Sequence, residues 1–176
     1  ANTTGVAVTG GATYYIAVGH AAGTAYTFNI TQNVPPPNDT PCTAETIGTA
    51  TQNSTCCANQ EVASPCGVGT ESSVWFVVPS APGVVSVDVT FANTSMSAPF
   101  VVDIFTGTDC NSIALVDEDV FKSPCNNGSF TANLRCQDFD TQNLYIRVGS
   151  NTATCGTFNL SVVSNMQSCT AAIDCG

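Results

Sequence analysis

Short runs of β-branched and aromatic residues recur along the chain, each bounded by Gly, Pro, Asn or Ser. From Val84 to Phe91 the apolar residues alternate with Ser, Asp and Thr, as in a strand with one face on a core and the other in water. No stretch keeps apolar residues at helical spacing over several turns. The pattern therefore predicts an all-β fold. The predicted strands are Tyr14–Val18, Ala25–Thr31, Ser73–Val78, Val84–Phe91, Phe100–Phe105, Ile113–Val116, Ser129–Leu134, Leu144–Val148 and Thr157–Val163.

Many short strands at this spacing predict an antiparallel β-sandwich of the jelly-roll or immunoglobulin-like kind. An internal repeat adds to this prediction. Residues 14–19, with the sequence YYIAVG, match residues 144–149, with the sequence LYIRVG. Residues 27–30 (TFNI) match residues 157–160 (TFNL) at the same displacement along the chain. The chain is therefore predicted to hold one complete module and part of another.

The repeat divides the chain into predicted segments. Residues 1–33 are the last strands of a partial module, and residues 34–41 are a Pro-rich, extended linker. Residues 42–164 are the complete sandwich. Residues 165–176 are a tail or the start of a next repeat, since Cys-Thr-Ala at the start of the sandwich recurs at 169–171.

The partial module has too few strands to be stable alone in water, and its edges would offer unpaired backbone groups. Three arrangements resolve this. The chain is a window of a tandem array, or the segment folds back on its own sandwich, or it completes the sheet of a neighbouring copy by strand addition. We favour the first and the third, which both give an elongated assembly. The predicted inter-subunit residues are Tyr14, Ile16, Tyr26 and Phe28.

Charged residues make up only 9% of the 176 residues, with 3 Lys+Arg against 13 Asp+Glu and a net charge of −10. Three basic side chains cannot neutralise a nucleic-acid backbone or bind an anionic membrane surface, so these two partners are excluded. No apolar run approaches the roughly 20 residues that span a bilayer. We therefore predict no nucleic-acid partner and no membrane insertion.

The 10 cysteines indicate a disulfide-stapled protein made in an oxidising compartment. The sequence contains no C-x-x-C motif, so a metal-binding or redox role for the cysteines is not favoured. Proximity along the chain predicts Cys42 with Cys66, Cys110 with Cys125, and Cys136 with Cys155, while the adjacent Cys56 and Cys57 go to different partners. The predicted disulfide cysteines are Cys42, Cys56, Cys57, Cys66, Cys110, Cys125, Cys136, Cys155, Cys169 and Cys175.

N-x-[ST] sequons are more frequent than chance gives, which predicts a secreted glycoprotein whose covalent glycans keep a charge-poor surface soluble. The predicted acceptors are Asn2, Asn29, Asn38, Asn53, Asn93, Asn127 and Asn159.

Five short motifs in order resemble the bacterial pre-peptidase C-terminal domain family. They are SVWF at 73–76, GVVSV at 83–87, VDIFTG at 102–107, LYIRVG at 144–149 and GTFNL at 156–160. The resemblance spans about residues 38–164, with a partial copy at 1–33. It implies a small β-sandwich appended to secreted proteins, often in tandem. The chain departs from the family in its Asp-Glu-Asp turn at 117–119, where an Asn-Asp-Asp turn is common, and in its many cysteines.

Acidic residues form the main candidate for chemistry. Oxygen-rich loops suit calcium, and the predicted ligands are Asp103, Asp117, Glu118 and Asp119. We favour a solvated acidic turn over this calcium site, and we predict no other cofactor. His20 lies in a predicted Gly-rich turn, so a Ser-His-Asp triad is not expected there. Trp75 and Phe76 point to opposite faces of a predicted strand, and we expect Trp75 in a core rather than on a sugar-binding surface. No catalytic residues are predicted, and the chain is not expected to be an enzyme.

These observations predict an extracellular or cell-surface structural protein. Its function would be that of a protomer in a glycosylated fibre or surface appendage, in which copies of the chain assemble head to tail by strand complementation or tandem repeats. The alternative is an accessory module of a secreted hydrolase or peptidase that binds carbohydrate or matrix. A surface adhesin is a third interpretation.

Overall fold

The computed structural model describes residues 12–17, 30, 34–47, 51–61, 71–94, 100–116, 121, 129–135, 137–151 and 155–166. The chain divides into two compact units, residues 1–32 and residues 33–176.

Ten strands and one short 3₁₀ turn, Pro41–Thr43, form the larger unit in the described residues. The strands are β1 (Glu45–Thr46), β2 (Thr51–Ser54), β3 (Gln60–Glu61), β4 (Glu71–Val78), β5 (Val84–Asn93), β6 (Phe100–Gly107), β7 (Ala114–Leu115), β8 (Phe130–Arg135), β9 (Asn143–Asn151) and β10 (Thr157–Met166).

The strands form two sheets, which confirms the predicted all-β sandwich. One sheet has six strands, in the order β1-β4-β9-β6-β7, with β3 also pairing β4. The other has four strands, in the order β2-β10-β5-β8. Every pairing is antiparallel except that of β1 with β4. The strands β9 and β10 therefore lie in the interior of the two sheets, each with a partner on both edges.

Alternating side chains of the long strands fill the space between the sheets. Phe158 on β10 lies at the centre of an aromatic cluster. Its ring centroid is 5.5 Å from that of Phe91 on the neighbouring strand β5. It is also 6.0 Å from Phe76 on β4 and 5.5 Å from Phe100 on β6, which both belong to the six-stranded sheet. These buried rings form an apolar contact between the two sheets.

All seven strands predicted within 73–163 are present, with ends that differ by a few residues. The sequence pattern missed β1, β2 and β3. These strands are short and polar, so they carry no alternation of apolar and polar positions. Their positions depend on the exposed backbone groups of β4 and β10, to which they bind.

The predicted linker over 34–41 differs from the structure at its C-terminal half. Asn38 and Asp39 are buried in the larger unit. The backbone carbonyl of Asn38 accepts a hydrogen bond from the Trp75 N–H at 2.8 Å, and its side-chain Nδ2 donates to the Trp75 carbonyl at 3.0 Å. Asn38 thus continues the edge of β4 between β3 and β1. This part of the segment belongs to the sandwich rather than to a spacer.

The strand predicted over Tyr14–Val18 is not formed in the described residues 12–17. Tyr15 is 95% exposed and Ile16 is 57% exposed. An extended segment becomes a strand only where a second strand accepts its hydrogen bonds, and alternation in the sequence does not provide one. Most of the second strand predicted in the smaller unit, Ala25–Thr31, lies outside the described residues; Ile30 is described and is not in a strand.

Two disulfides connect distant parts of the larger unit. Cys42 bonds to Cys110 across 68 residues, and Cys56 bonds to Cys155 across 99 residues. The predicted pairs of Cys42 with Cys66, Cys110 with Cys125 and Cys136 with Cys155 are therefore wrong. Proximity along the chain failed because strand order, rather than sequence separation, determines which loops meet. Cys57 is exposed and forms no disulfide, and the other five cysteines lie outside the described residues.

This disulfide map can be tested on the native, unreduced protein. We expect proteolysis under non-reducing conditions, followed by mass spectrometry, to recover peptides that link Cys42 with Cys110 and Cys56 with Cys155. Both links should disappear after reduction. Recovery of a link between Cys42 and Cys66 would contradict this map. Cys42 could then not bond to Cys110, so the 3₁₀ turn and the loop after β6 would not be joined by a disulfide.

Candidate functional site

The outer face of the six-stranded sheet carries a row of charged and aromatic side chains. Trp75 on β4, Arg147 on β9 and Asp103 on β6 are in register, so they lie side by side on the face opposite the main core. All three are buried. Burial of a guanidinium and a carboxylate requires that each find a partner of opposite charge.

Arg147 is held between two carboxylates and an indole ring. Its Nη2 and Nε donate to Asp103 Oδ2 at 2.5 Å and 3.0 Å. Its Nη1 is 3.9 Å from Glu61 Oε2, and its guanidinium carbon lies 5.9 Å from the centroid of the Trp75 ring. The Trp75 indole N–H and the Ser73 hydroxyl also donate to the Glu61 carboxylate, at 2.9 Å and 2.6 Å. We name this set, Glu61, Ser73, Trp75, Asp103 and Arg147, the arginine cluster.

The arginine cluster changes the interpretation of Asp103 and Trp75. Asp103 was a predicted calcium ligand, but its side chain is 1% exposed and bonds to a guanidinium, which would repel a bound cation. Trp75 is buried as expected, although on the outer face of its sheet rather than in the main core. The arginine cluster is therefore a structural network that fixes β3, β4, β6 and β9 relative to one another.

A second polar network lies on the outer face of the four-stranded sheet. Asp88 on β5 is in register with Asn133 on β8, and two positions along β5, Ser86 is in register with Arg135 and Asn165. The amide nitrogens of Asn133 and Asn165 both donate to the Asp88 carboxylate, the latter at 3.0 Å. Arg135 Nε donates in turn to the amide oxygen of Asn133. We name this set of five residues the asparagine face.

The asparagine face is accessible in part, because Asn133 and Arg135 are exposed and Asp88 and Asn165 are partly exposed, while Ser86 is buried. The hydrogen bonds from Asn133 and Asn165 lower the pKa of Asp88 below its ordinary value of 3.8, and the charge of Arg135 acts in the same direction. Asp88 is therefore a carboxylate at neutral pH. The face presents donors and acceptors on neighbouring strands.

Sequence reasoning did not predict the asparagine face. Ser86 and Asp88 were recognised as the wet side of an alternating strand, but nothing in the local pattern indicated that Asn133, Arg135 and Asn165 lie beside them. The strand order β10-β5-β8 brings these residues together from segments about 30 to 80 positions apart in the chain.

The structure places the predicted glycan acceptors in different environments. Asn38 is buried and its Nδ2 bonds to the Trp75 carbonyl, so a glycan on this nitrogen conflicts with the fold. Asn159 is exposed on the outer face of the four-stranded sheet, while Asn53 and Asn93 are partly buried in strands β2 and β5. Glycosylation at these three stays a prediction. Asn2, Asn29 and Asn127 lie outside the described residues.

Other candidate residues also lie outside the described ranges: His20, Tyr26, Phe28, Asp117, Glu118 and Asp119. Within those ranges, no group of three or more His, Cys, Asp or Glu side chains is arranged to hold a metal ion. A search of the same residues finds no helix of the length and apolarity that a membrane crossing requires.

The pKa of Asp88 leads to a prediction about stability and pH. Because the folded pKa is lower than the unfolded one, the contribution of Asp88 is fully present above pH 3.8 and is lost as the pH falls through the folded pKa. We expect Asp88→Asn to reduce the loss of unfolding free energy between neutral pH and pH 2, as measured by urea denaturation. Glu45→Gln, an exposed change in the other sheet, is the control. Equal pH slopes for wild type and Asp88→Asn would contradict the assignment.

No family model matches the chain, and no curated protein matches it. A search of solved structures finds the crystal structure of a pre-peptidase C-terminal domain of a collagenase from Bacillus anthracis. The two are 15% identical with a TM-score of 0.41, over 68% of this chain and 94% of that chain. The matched domain belongs to the family that the sequence motifs resemble.

Proposed function

We propose that this chain is a non-catalytic β-sandwich module of a secreted protein and that it binds polysaccharide through the asparagine face. The observation that carries the proposal is the set Asp88, Asn133 and Asn165, in which one carboxylate and two amides form a continuous network on an accessible sheet. Two disulfides support a location in an oxidising, extracellular compartment.

The chemistry of the asparagine face suits sugar hydroxyl groups. Each hydroxyl both donates and accepts a hydrogen bond, and neighbouring hydroxyls on a sugar ring need a partner of each kind. Asp88 accepts, Arg135 donates, and the amides of Asn133 and Asn165 can do both. A row of polar groups that crosses three neighbouring strands can contact several units of a polymer chain. An accessory role beside a hydrolase or peptidase needs this kind of retention on an insoluble substrate.

The test is a pull-down of the purified, folded chain on insoluble polysaccharides such as chitin, cellulose and a bacterial cell-wall preparation. We expect retention on at least one of them and at least a tenfold weaker apparent affinity for the variant Asp88→Ala/Asn133→Ala. Leu115→Ala, an exposed change on β7 of the other sheet, should bind as wild type. Thermal unfolding of each variant checks that it is folded. Failure of the wild type to bind any polysaccharide, or unchanged binding by the double variant, would end this proposal.

The internal repeat favours a second function. We propose that the chain is a protomer of a linear extracellular assembly, in which modules follow one another as tandem repeats or by strand complementation. The supporting observation is that the segment repeating β9 and β10 carries exposed apolar side chains, among them Tyr15 and Ile16. Apolar side chains on successive positions of one segment are typical of a surface that is covered in the assembled state.

Electron microscopy of negatively stained native material tests this second function. We expect regular filaments with an axial repeat close to the length of one sandwich. Particles of uniform size without filaments would count against a linear assembly and would leave the polysaccharide-binding proposal unaffected.

A further inference from the structure

Val163 is an exposed apolar side chain beside the asparagine face. It lies on β10 directly opposite Asp88 on β5, and its neighbours on the same outer face of β10 are Ser161 and Asn165. Among the described residues, β2 pairs with β10 only over 157–160, so no described strand pairs with the other edge of β10 at Val163. The side chain is 57% exposed. It is therefore open to a ligand that lies on this face.

The Asp88 carboxylate next to Val163 is held in place and can accept further hydrogen bonds. Asn133 and Asn165 each donate to it, the latter at 3.0 Å, and its lowered pKa keeps it ionised at neutral pH. An ionised carboxylate has about four acceptor sites, so about two remain for a ligand. Hydrogen bonds from a hydroxyl to an ionised acceptor are roughly twice as strong as those between neutral groups. Asp88 is therefore an oriented, charged acceptor for neighbouring hydroxyls.

The spacing of Val163 and Asp88 suits one face and one edge of a sugar ring. Directly opposite residues of an antiparallel pair have Cβ atoms about 4.5–5.5 Å apart. A pyranose ring with equatorial hydroxyls carries them at its edge, and its two faces then present C–H groups. Such a ring placed over Val163 buries apolar surface on both partners and directs edge hydroxyls at Asp88. An axial hydroxyl would instead stand against the Val163 methyl groups, which offer it no hydrogen bond.

We propose that Val163 determines the specificity of the asparagine face, and that the face selects polymers whose sugar units are linked and substituted equatorially, as in cellulose and chitin. Val163 contacts the C–H face of one ring, while Asp88 accepts hydrogen bonds from hydroxyls at the edge of that ring. Asn133 and Asn165 hold the Asp88 carboxylate in this position. The inference rests on the polysaccharide binding proposed above and specifies which polymers are bound.

The test is competition between two soluble oligosaccharides of the same length and linkage. Cellohexaose carries equatorial hydroxyls on its rings, and β-1,4-mannohexaose differs from it in an axial hydroxyl at carbon 2 of each ring. We expect cellohexaose to release the folded chain from insoluble cellulose or chitin at a concentration about fivefold lower than mannohexaose does, on the scale of one partly buried aliphatic side chain.

Val163→Thr is the matched variant, because it keeps the β-branched shape and replaces a methyl group by a hydroxyl. We expect it to weaken the binding of cellohexaose about fivefold and to reduce the ratio between the two oligosaccharides to below about twofold. Leu115→Thr makes a similar change at an exposed position of β7 in the other sheet and should keep the wild-type ratio. Thermal unfolding of each variant checks that it is folded.

Equal release of the wild type by the two oligosaccharides, or the same ratio in Val163→Thr as in the wild type, would overturn this inference and leave polysaccharide binding in place. Retention on a polymer from which neither cellohexaose nor chitohexaose releases the chain would overturn it as well. Failure of the wild type to bind any polysaccharide would end the proposed function, and the specificity with it.

Discussion

The contact of Phe158 with rings from both sheets is the interaction on which the sandwich depends. Phe158 lies on β10, one of the two interior strands of the four-stranded sheet, and two of its three ring partners, Phe76 and Phe100, belong to the opposite sheet. A sheet is stable in water only when one face is covered, so this cluster allows both sheets to exist. With the inner faces packed against each other, the outer faces are the parts of the two sheets that remain open to contact other molecules.

The outer faces use polar residues in opposite ways. On the six-stranded sheet, Arg147 and Asp103 are buried and their charges pair with each other. On the four-stranded sheet, Asp88 is held by amides at an accessible surface and keeps its charge. In a chain with only 3 basic residues, one arginine serves each outer face. The charged groups of the six-stranded sheet therefore hold strands together, while those of the four-stranded sheet lie at an accessible surface.

The topology shows which strands of the sandwich the N-terminal repeat matches. In the sequence, residues 14–19 and 27–30 are two short strand patterns, and of their apolar side chains Tyr14, Ile16 and Ile30 are exposed. In the fold, the segments that they match lie in β9 and β10, which are interior strands of the two sheets with a partner strand on both edges. The two copies differ in charge at one position, because Arg147 in β9 pairs with the buried Asp103 and the corresponding residue in the N-terminal copy is Ala17.

The sequence by itself determined the fold class, the position of the long strands and the repeat. These features depend on local alternation of apolar and polar residues, which is visible in a window of a few positions. Tertiary structure decided the partners: Cys42 with Cys110 rather than Cys66, Asn38 with Trp75 rather than a glycan, and Asp103 with Arg147 rather than calcium. Each of these contacts joins residues from distant parts of the chain. Strand order and register create such contacts, and neither is written in any single stretch of sequence.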